Sequence, residues 1–388
     1  MKVMRIVTVL CWIIVAAVLL GLAGWFLTGT LIGVRSDRFD VNWPLGSDSN
    51  FGAFESLSGP YEPDGVYTRG IEGINAIKID WVAGSITVKP HDGDEILITE
   101  FAQRALGSEE KLQMSTSGGT LNIKYRERSA SLRSISMPQK RLEVLVPRAF
   151  GESLAKLSVD TVSGNVYIGD VGPDIVKIDS TSGDITLTNI SSLGLDSNSL
   201  SGSISLSNVT ADAIGLESTS GSITVVTSNA GEIEIDSLSG GVRVSDSSAS
   251  LFDAETTSGN LTVSGAFNSA RLESLSGRIS LDNSAESSVV DAETTSGNMD
   301  LSGSFSKVSV ESLSGDISVN SRILPASLKS DMTSGNLTVA VPNESAVSVY
   351  HSSTSGKFSS DIPILIQGRG AQFEFSSLSG NVKIVARG

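Results

Sequence analysis

The side chains in this 388-residue chain that could do chemistry are carboxylates, and they recur at one fixed place. Four residues before each of a run of regularly spaced glycines stands an acid. The series is Asp160, Asp179, Glu217, Asp236, Glu255, Glu273, Glu293, Glu311 and Asp331, with Asn198 as its one interruption. A row of carboxylates can gather a cationic ligand or divalent cations, and Ca2+ is the hard ion that suits stacked oxygen ligands. Asp236, Glu255, Glu273, Glu293 and Glu311 are the rungs expected to form a weak divalent-cation ladder. The alternative is a row screened by water and salt that keeps the surface soluble and blunts edge pairing. Carboxylates ~5 Å apart repel by roughly 0.9 kcal/mol in water, and by more where they are partly desolvated. The repeat does not match the Gly-Gly-x-Gly-x-Asp nonapeptide that binds Ca2+.

Other reactive chemistry is sparse. The two histidines, His91 and His351, are far apart, and the single cysteine is Cys11. There is no His-Glu-x-x-His, no phosphate-binding Gly-Lys-Ser/Thr loop and no nucleophile elbow. A serine without a positioned base is not a nucleophile, so the many serines read as turn residues. The enzymatic alternative is a β-helical polysaccharide-cleaving protein. Aromatic residues make up only 5% of the chain, too few to stack on sugar. The expectation is therefore a non-enzymatic protein with no required cofactor. A net charge of −15 argues against nucleic acid as a partner, because a phosphate backbone needs a basic face.

The elements that must position the acids are Ser-Gly turns. Their glycines are Gly164, Gly183, Gly202, Gly221, Gly240, Gly259, Gly277, Gly297, Gly315 and Gly335, spaced 18 to 20 residues apart, followed more loosely by Gly356 and Gly380. Around each turn apolar residues alternate, as in Ile233, Ile235, then Val242, Val244. That period of two marks half-buried strands. One half-repeat alone buries too little to offset an ordering cost of ~1–2 kcal/mol per residue, so the units must stack as an array. The expected fold is all-β, a parallel β-solenoid.

The residue before each Ser-Gly alternates. Thr181, Thr219, Thr257, Thr295 and Thr333 are spaced by 38, and Val162, Leu200, Leu238, Leu275 and Leu313 by 38 or 37. Identical residues stack well, so the favoured geometry is a ~38-residue double-repeat coil with Leu turns at one corner and Thr turns at the opposite one. Two acid ladders would then run at opposite corners, and Leu157 to Val339 would rise only ~25 Å at ~4.8 Å per coil. A 19-residue coil, with Leu and Thr alternating up one column, would be about twice as long. The turn glycines are expected to supply positive φ, and the Ser before each one a local backbone bond. Asn260, Asn298 and Asn336 are expected to stack as an amide ladder.

The flanks divide as follows. Residues 1–34 hold a cytoplasmic tip and the uncharged run Ile6 to Val34, long enough to span a bilayer. Lys2 and Arg5 before it place the N-terminus in the cytoplasm and the bulk of the chain outside, with a cleaved signal peptide as the alternative. Residues 35–70 read as a linker, 71–150 as atypical first coils capping the array, 151–339 as the regular solenoid, and 340–388 as closing coils and cap. In that tail Thr354 stands where Leu is due and Leu378 where Thr is due. The stretch Tyr125 to Arg141, with Arg126, Arg128, Arg133, Lys140 and Arg141, reads as an exposed basic loop in an acidic exterior.

A membrane anchor, the segment Ile77-Lys78-Ile79-Asp80-Trp81-Val82-Ala83-Gly84-Ser85-Ile86-Thr87-Val88, the strand end Leu145-Val146-Pro147 and then a ladder of Ser-Gly turns together resemble the bacterial “putative adhesin” family of β-strand-repeat envelope proteins, a domain of unknown function. The resemblance covers roughly residues 71–388 and carries no catalytic motif. It implies a β-solenoid on the cell surface or periplasmic face. It also implies either an adhesion and interaction scaffold for protein or cell-wall ligands, or an envelope-stress regulator that binds cationic peptides or a membrane partner.

Overall fold

The computed structural model describes residues 54–55, 60–126, 137–343, 346–365 and 370–387. Contacts divide the chain into residues 1–55 with 128–137, and residues 56–127 with 138–388; the solenoid lies in the second unit. The run Ile6 to Val34 and Cys11 fall outside the described residues. Among the described residues no helix is long and apolar enough to cross a membrane.

Alternation builds the coils. In one circuit Ile214, Leu216, Ile223 and Val225 all point inward and are at most 1% exposed, while the alternate residues Gly215, Glu217 and Thr224 lie on the outer side. The register shows how circuits stack. Ile185 pairs with Ile204, then Ile223, Val242, Leu261, Ile279, Met299, Ile317 and Leu337. Each neighbour is 18 to 20 residues further along the chain, so one coil is one 19-residue repeat and not a 38-residue double repeat. The reason is a second bend that carries no Ser-Gly signal. Asp170, Asn189, Asn208, Thr227 and Asp246 sit one above another in the left-handed region, at φ 50–59°, and turn the chain there. With that bend a single repeat closes its own circuit. Amides tie this column along the stack: Asn189 Nδ2 donates to Asp170 Oδ1 at 2.7 Å, and Asn208 Nδ2 to Asn189 Oδ1 at 2.8 Å. The run from Leu157 to Val339 accordingly holds ten coils and rises ~43 Å.

At both ends the order of coils in space departs from their order in sequence. The segment 371–387 lies between 327–342 and 347–360, the last coil of the stack. Leu378 therefore sits between Thr333 and Thr354, and the Leu/Thr alternation that looks broken in the sequence is unbroken in space. At the other end Ala76–His91 lies between 156–169 and an outer coil formed by 120–124 and 140–147. Antiparallel strands cover this end. Glu62–Gly70 pairs with Glu95–Ala102, which pairs with Lys140–Pro147, and Gln113–Ser117 pairs with Thr120–Lys124. Residues 62–70 are thus a strand of the cap rather than linker.

The basic stretch is also corrected where it is described. Tyr125 is 2% exposed and Lys140 is fully buried. Lys140 Nζ lies 2.6 Å from a carboxylate oxygen of the equally buried Glu100. It also donates to Glu110 O at 2.7 Å and to Tyr125 O, and lies 4.0 Å from the Tyr125 ring centroid. Glu100 in turn accepts from Leu112 N at 3.0 and 3.2 Å. A buried ion pair is tolerable when its remaining donors and acceptors are met in this way. Burial pulls the Lys140 ammonium down to about 8, against the upward pull of Glu100. Arg128 and Arg133 lie outside the described residues.

Candidate functional site

Two columns run side by side along the stack, and the first explains the second. The turn glycines form the corner column. A Cβ built on Gly183, Gly202, Gly221, Gly240, Gly259, Gly277, Gly297, Gly315 or Gly335 would lie 1.7–2.1 Å from the carbonyl oxygen of the glycine one coil below. No other residue fits in that space. Only Gly315 and Gly335 of this set have left-handed φ, at 137° and 116°, so close approach between coils, not positive φ, is what demands glycine.

The serines also divide their work differently from the expectation. In most coils the Ser before Gly reaches the neighbouring coil: Ser182 Oγ donates to Val162 O and Ser201 Oγ to Thr181 O, both at 3.1 Å. At Gly164, Gly183, Gly202, Gly221, Gly259 and Gly277 the local bond comes from a buried hydroxyl three residues before Gly. Ser199 Oγ accepts from Gly202 N at 2.8 Å, Ser218 Oγ from Gly221 N at 2.9 Å and Thr256 Oγ1 from Gly259 N at 3.0 Å. The residue after Gly adds a third tie. Asn260 Oδ1 accepts from Arg278 N and Asn298 Oδ1 from Asp316 N, while Asn336 N donates to Asp316 Oδ1. Asn260, Asn298 and Asn336 therefore share one ladder but alternate with Arg278 and Asp316, as a 19-residue coil requires.

The acid column lies one position before the buried hydroxyls, so a rigid corner sets its spacing. The rungs pair in register as Asp80, Asp160, Asp179, Asn198, Glu217, Asp236, Glu255, Glu273, Glu293, Glu311 and Asp331. All of them lie in one column, not in two at opposite corners, and successive rungs are ~4.8 Å apart. Asp80 is a rung that the reading of the sequence missed. Its signal was present: Ile77-x-Ile79-Asp80 ends four residues before Gly84, the same phrase as Val176-x-Ile178-Asp179 and Ile233-x-Ile235-Asp236 in later coils. After Asp331 the column continues as Ser376 and Ser352.

The carboxylates are half-buried rather than fully solvated, because the coils above and below pack on each one. Desolvation, then Glu273 and Asp236, push Glu255 up to about 7. Desolvation, then Glu273 and Glu311, raise Glu293 as well. A parallel column two residues upstream faces the same side. It carries Lys78, Lys177, Asp196, Glu234, Asp253, Arg271, Asp291 and Lys329. Its cations pair with the rungs beside them. Lys78 is 2.8 Å from Asp160, Arg271 bonds Glu273 and lies 3.5 Å from Asp253, and Lys329 is 2.8 Å from Asp331. Lysines thus stand near both ends of the column, while the coils from Glu217 to Glu311 carry one cation, Arg271, on these two columns.

Such a face can attract and orient a multivalent cation of extended shape. Nothing in it resembles a catalytic constellation. His91 belongs to a coil at the N-terminal end and His351 to the last coil of the stack, and the serines are engaged in the corner. Among the described residues no group of three or more His, Cys, Asp or Glu side chains is arranged to hold a metal ion.

Comparison with known proteins places this architecture. The family model for Toastrack DUF4097 matches residues 74–270 and 232–372, most of the solenoid. The chain belongs to the Toastrack DUF4097 family. No curated protein matches significantly. Among solved structures, this Toastrack chain is similar to a “putative adhesin” from Parabacteroides merdae, at 12% identity over 64% of this chain and 96% of that one, with a TM-score of 0.39. A protein of the same description from Parabacteroides distasonis is 15% identical over 66% of this chain and 98% of that one, with a TM-score of 0.40. A “putative lipid binding protein” from Parabacteroides distasonis is 15% identical over 82% of this chain and 96% of that one, with a TM-score of 0.25.

Proposed function

We propose that this Toastrack protein is a non-enzymatic interaction scaffold of the bacterial cell envelope. The run Ile6 to Val34 anchors it in the membrane with a cytoplasmic N-terminus, and the solenoid outside presents its acidic face to a ligand. One observation carries the reading: ten carboxylates stand in register on a single face, held at ~4.8 Å intervals by a corner that no side chain can enter. Repulsion along such a row works against the fold, and a bound cationic partner would relieve it. Adhesion to protein or cell wall is the first form of this function. The second is sensing of a cationic peptide or docking of a membrane partner, favoured by the cation-poor stretch from Glu217 to Glu311. Ca2+ bridging between rungs is a weaker variant of the same idea.

The test uses the full chain against an oligolysine peptide, purified cell wall and a panel of polysaccharides. The scaffold reading expects binding to the peptide or the wall that weakens steeply with salt, and no turnover of polysaccharide. Salt-insensitive binding, or hydrolysis of any polysaccharide, contradicts it.

A further inference from the structure

The two ends of the stack are finished differently. Antiparallel strands 62–70, 95–102 and 113–117 cover the N-terminal end. At the C-terminal end the last coil is Val347–Ser355 with Phe358–Ser360, and each of these strands pairs on one side only. On the other side residues 361–365 reach only Val347. Leu365 N donates to Val347 O at 2.8 Å, and Val347 N donates to Pro363 O at 3.3 Å. From Ser348 to Ser360 the outer edge has no strand partner among the described residues. In a parallel ladder alternate residues direct both backbone groups to the same side, so Val349, His351 and Ser353 aim theirs outward, as Val347 does.

Exposed edges are ordinarily blunted by charge or proline. This one is not: Val347 to Gly356 contains no Asp, Glu, Lys, Arg or Pro. Beside it Tyr350 is 65% exposed and Leu365 38%, around a hollow of about 540 Å3 that Val349 and Phe373 also line. Inside the coil, His351 Nε2 is buried without a hydrogen-bond partner. The acid column ends before this edge, since its last two rungs are Ser376 and Ser352. Glu374, beside Tyr350, is one coil in, Lys357 lies in the turn between the two edge strands, and Lys383 lies on the adjoining strand.

We propose that this edge pairs with the same edge of a second copy of the chain, strand 348–355 running antiparallel to itself about a two-fold axis. The charge distribution favours a second copy in spite of the net charge of −15. Two chains joined here would keep their nearest column acids, Asp331 and Asp331 of the second copy, five rungs or ~24 Å apart, about three Debye lengths at physiological salt. Each edge gains backbone bonds that it otherwise leaves to water. The antiparallel cover at the N-terminal end blocks head-to-tail growth, so the pairing closes at a dimer rather than a fibre. This inference is independent of what the acidic face binds.

The test measures the molar mass of the full chain in density-matched detergent, in a Cys11→Ser background, together with mild oxidation of single cysteines placed at Tyr350, Ser352 or Thr354. Pairing predicts a dimer at micromolar concentration, a cross-linked dimer from at least one of the three cysteines, and none from Ser207→Cys on an exposed mid-stack position. The double variant Ser352→Lys/Thr354→Lys puts like charges face to face at exposed positions and should halve the mass. Val349→Pro should do the same, because it removes only an outward-facing donor on an edge strand. The control Ser207→Lys/Thr210→Lys should stay dimeric. A monomeric wild type overturns the proposal, and so does a dimer that both edge variants leave intact.

Discussion

The corner column and the acid column stand four residues apart and rise together, yet they tolerate change very differently. The corner admits only glycine for coil after coil, because the next carbonyl lies within 1.7–2.1 Å of any added Cβ. The acid column accepts Asp, Glu and, at Asn198, an amide, and it gives way to serine at Ser376 and Ser352. Sterics fix the first at every rung. The second is fixed only in its spacing, which it inherits from the first. Fixed spacing with variable chemistry is compatible with the binding role proposed for the face, whereas packing alone accounts for the corner.

The comparison breaks most sharply at Gly259. Gly259→Val forces a side chain against the Gly240 carbonyl, 2.0 Å from the added Cβ, and is expected to cost more than about 3 kcal/mol, read as a loss of about ten degrees in Tm or a failure to fold. Glu255→Gln, four residues earlier, should leave the fold intact by the same circular-dichroism melt. A smaller effect is expected at the hydroxyl that joins the two columns. Thr256→Val keeps the shape but leaves Gly259 N–H buried without its acceptor, a cost of about 1–2 kcal/mol in denaturant unfolding.

The face should respond to pH in a direction that the corner does not share. Desolvation and the neighbouring acids raise Glu255 to about 7, above its unfolded value near 4.5, so the folded state binds this proton more tightly than the unfolded state. The contribution of this group to stability is therefore fully present below about pH 4.5 and is lost as pH rises through about 7. Wild type should melt higher at pH 5.5 than at pH 8, and Glu255→Gln should reduce the difference. A Tm that rises with pH over this window contradicts the half-buried ladder. The smallest effect is that of Ca2+: if rungs from Asp236 to Glu311 share cations, millimolar Ca2+ raises Tm by a few degrees at pH 8, and an unchanged Tm removes the cation ladder.

Much of this was legible from the residues. Alternating Ile and Val mark the strands, Ser-Gly marks one corner, and counting four back from each Gly finds the acid. Coil length was not legible, because the Leu/Thr alternation reads naturally as two kinds of corner. In space it is one exposed column in which Leu200, Leu275 and Leu313 are 43–49% exposed and a small Thr stands between successive leucines. Alternating bulk relieves crowding between rungs ~4.8 Å apart, so the rule that like stacks on like fails on an outward corner. The second bend at Asp170, Asn189 and Asn208 carries no fixed residue type, since Asn, Asp and even Thr227 adopt its left-handed φ. The exchange of coils at both ends is tertiary and leaves only the misplaced Thr354 and Leu378 as a trace. The buried Lys140–Glu100 pair was hidden because a lysine in a basic stretch reads as solvated, and only the cap strands reveal its partner.

The central claim, that function lies on the acid column and not on the turns, is tested most directly by neutralising four rungs without touching the corner. The variant Glu255→Gln/Glu273→Gln/Glu293→Gln/Glu311→Gln and the wild-type full chain are titrated with an oligolysine peptide across a salt series by calorimetry. The predicted result is a variant that melts no lower than wild type yet loses at least about tenfold in affinity, with a shallower salt dependence. Equal affinity and equal salt dependence for the two proteins would contradict it.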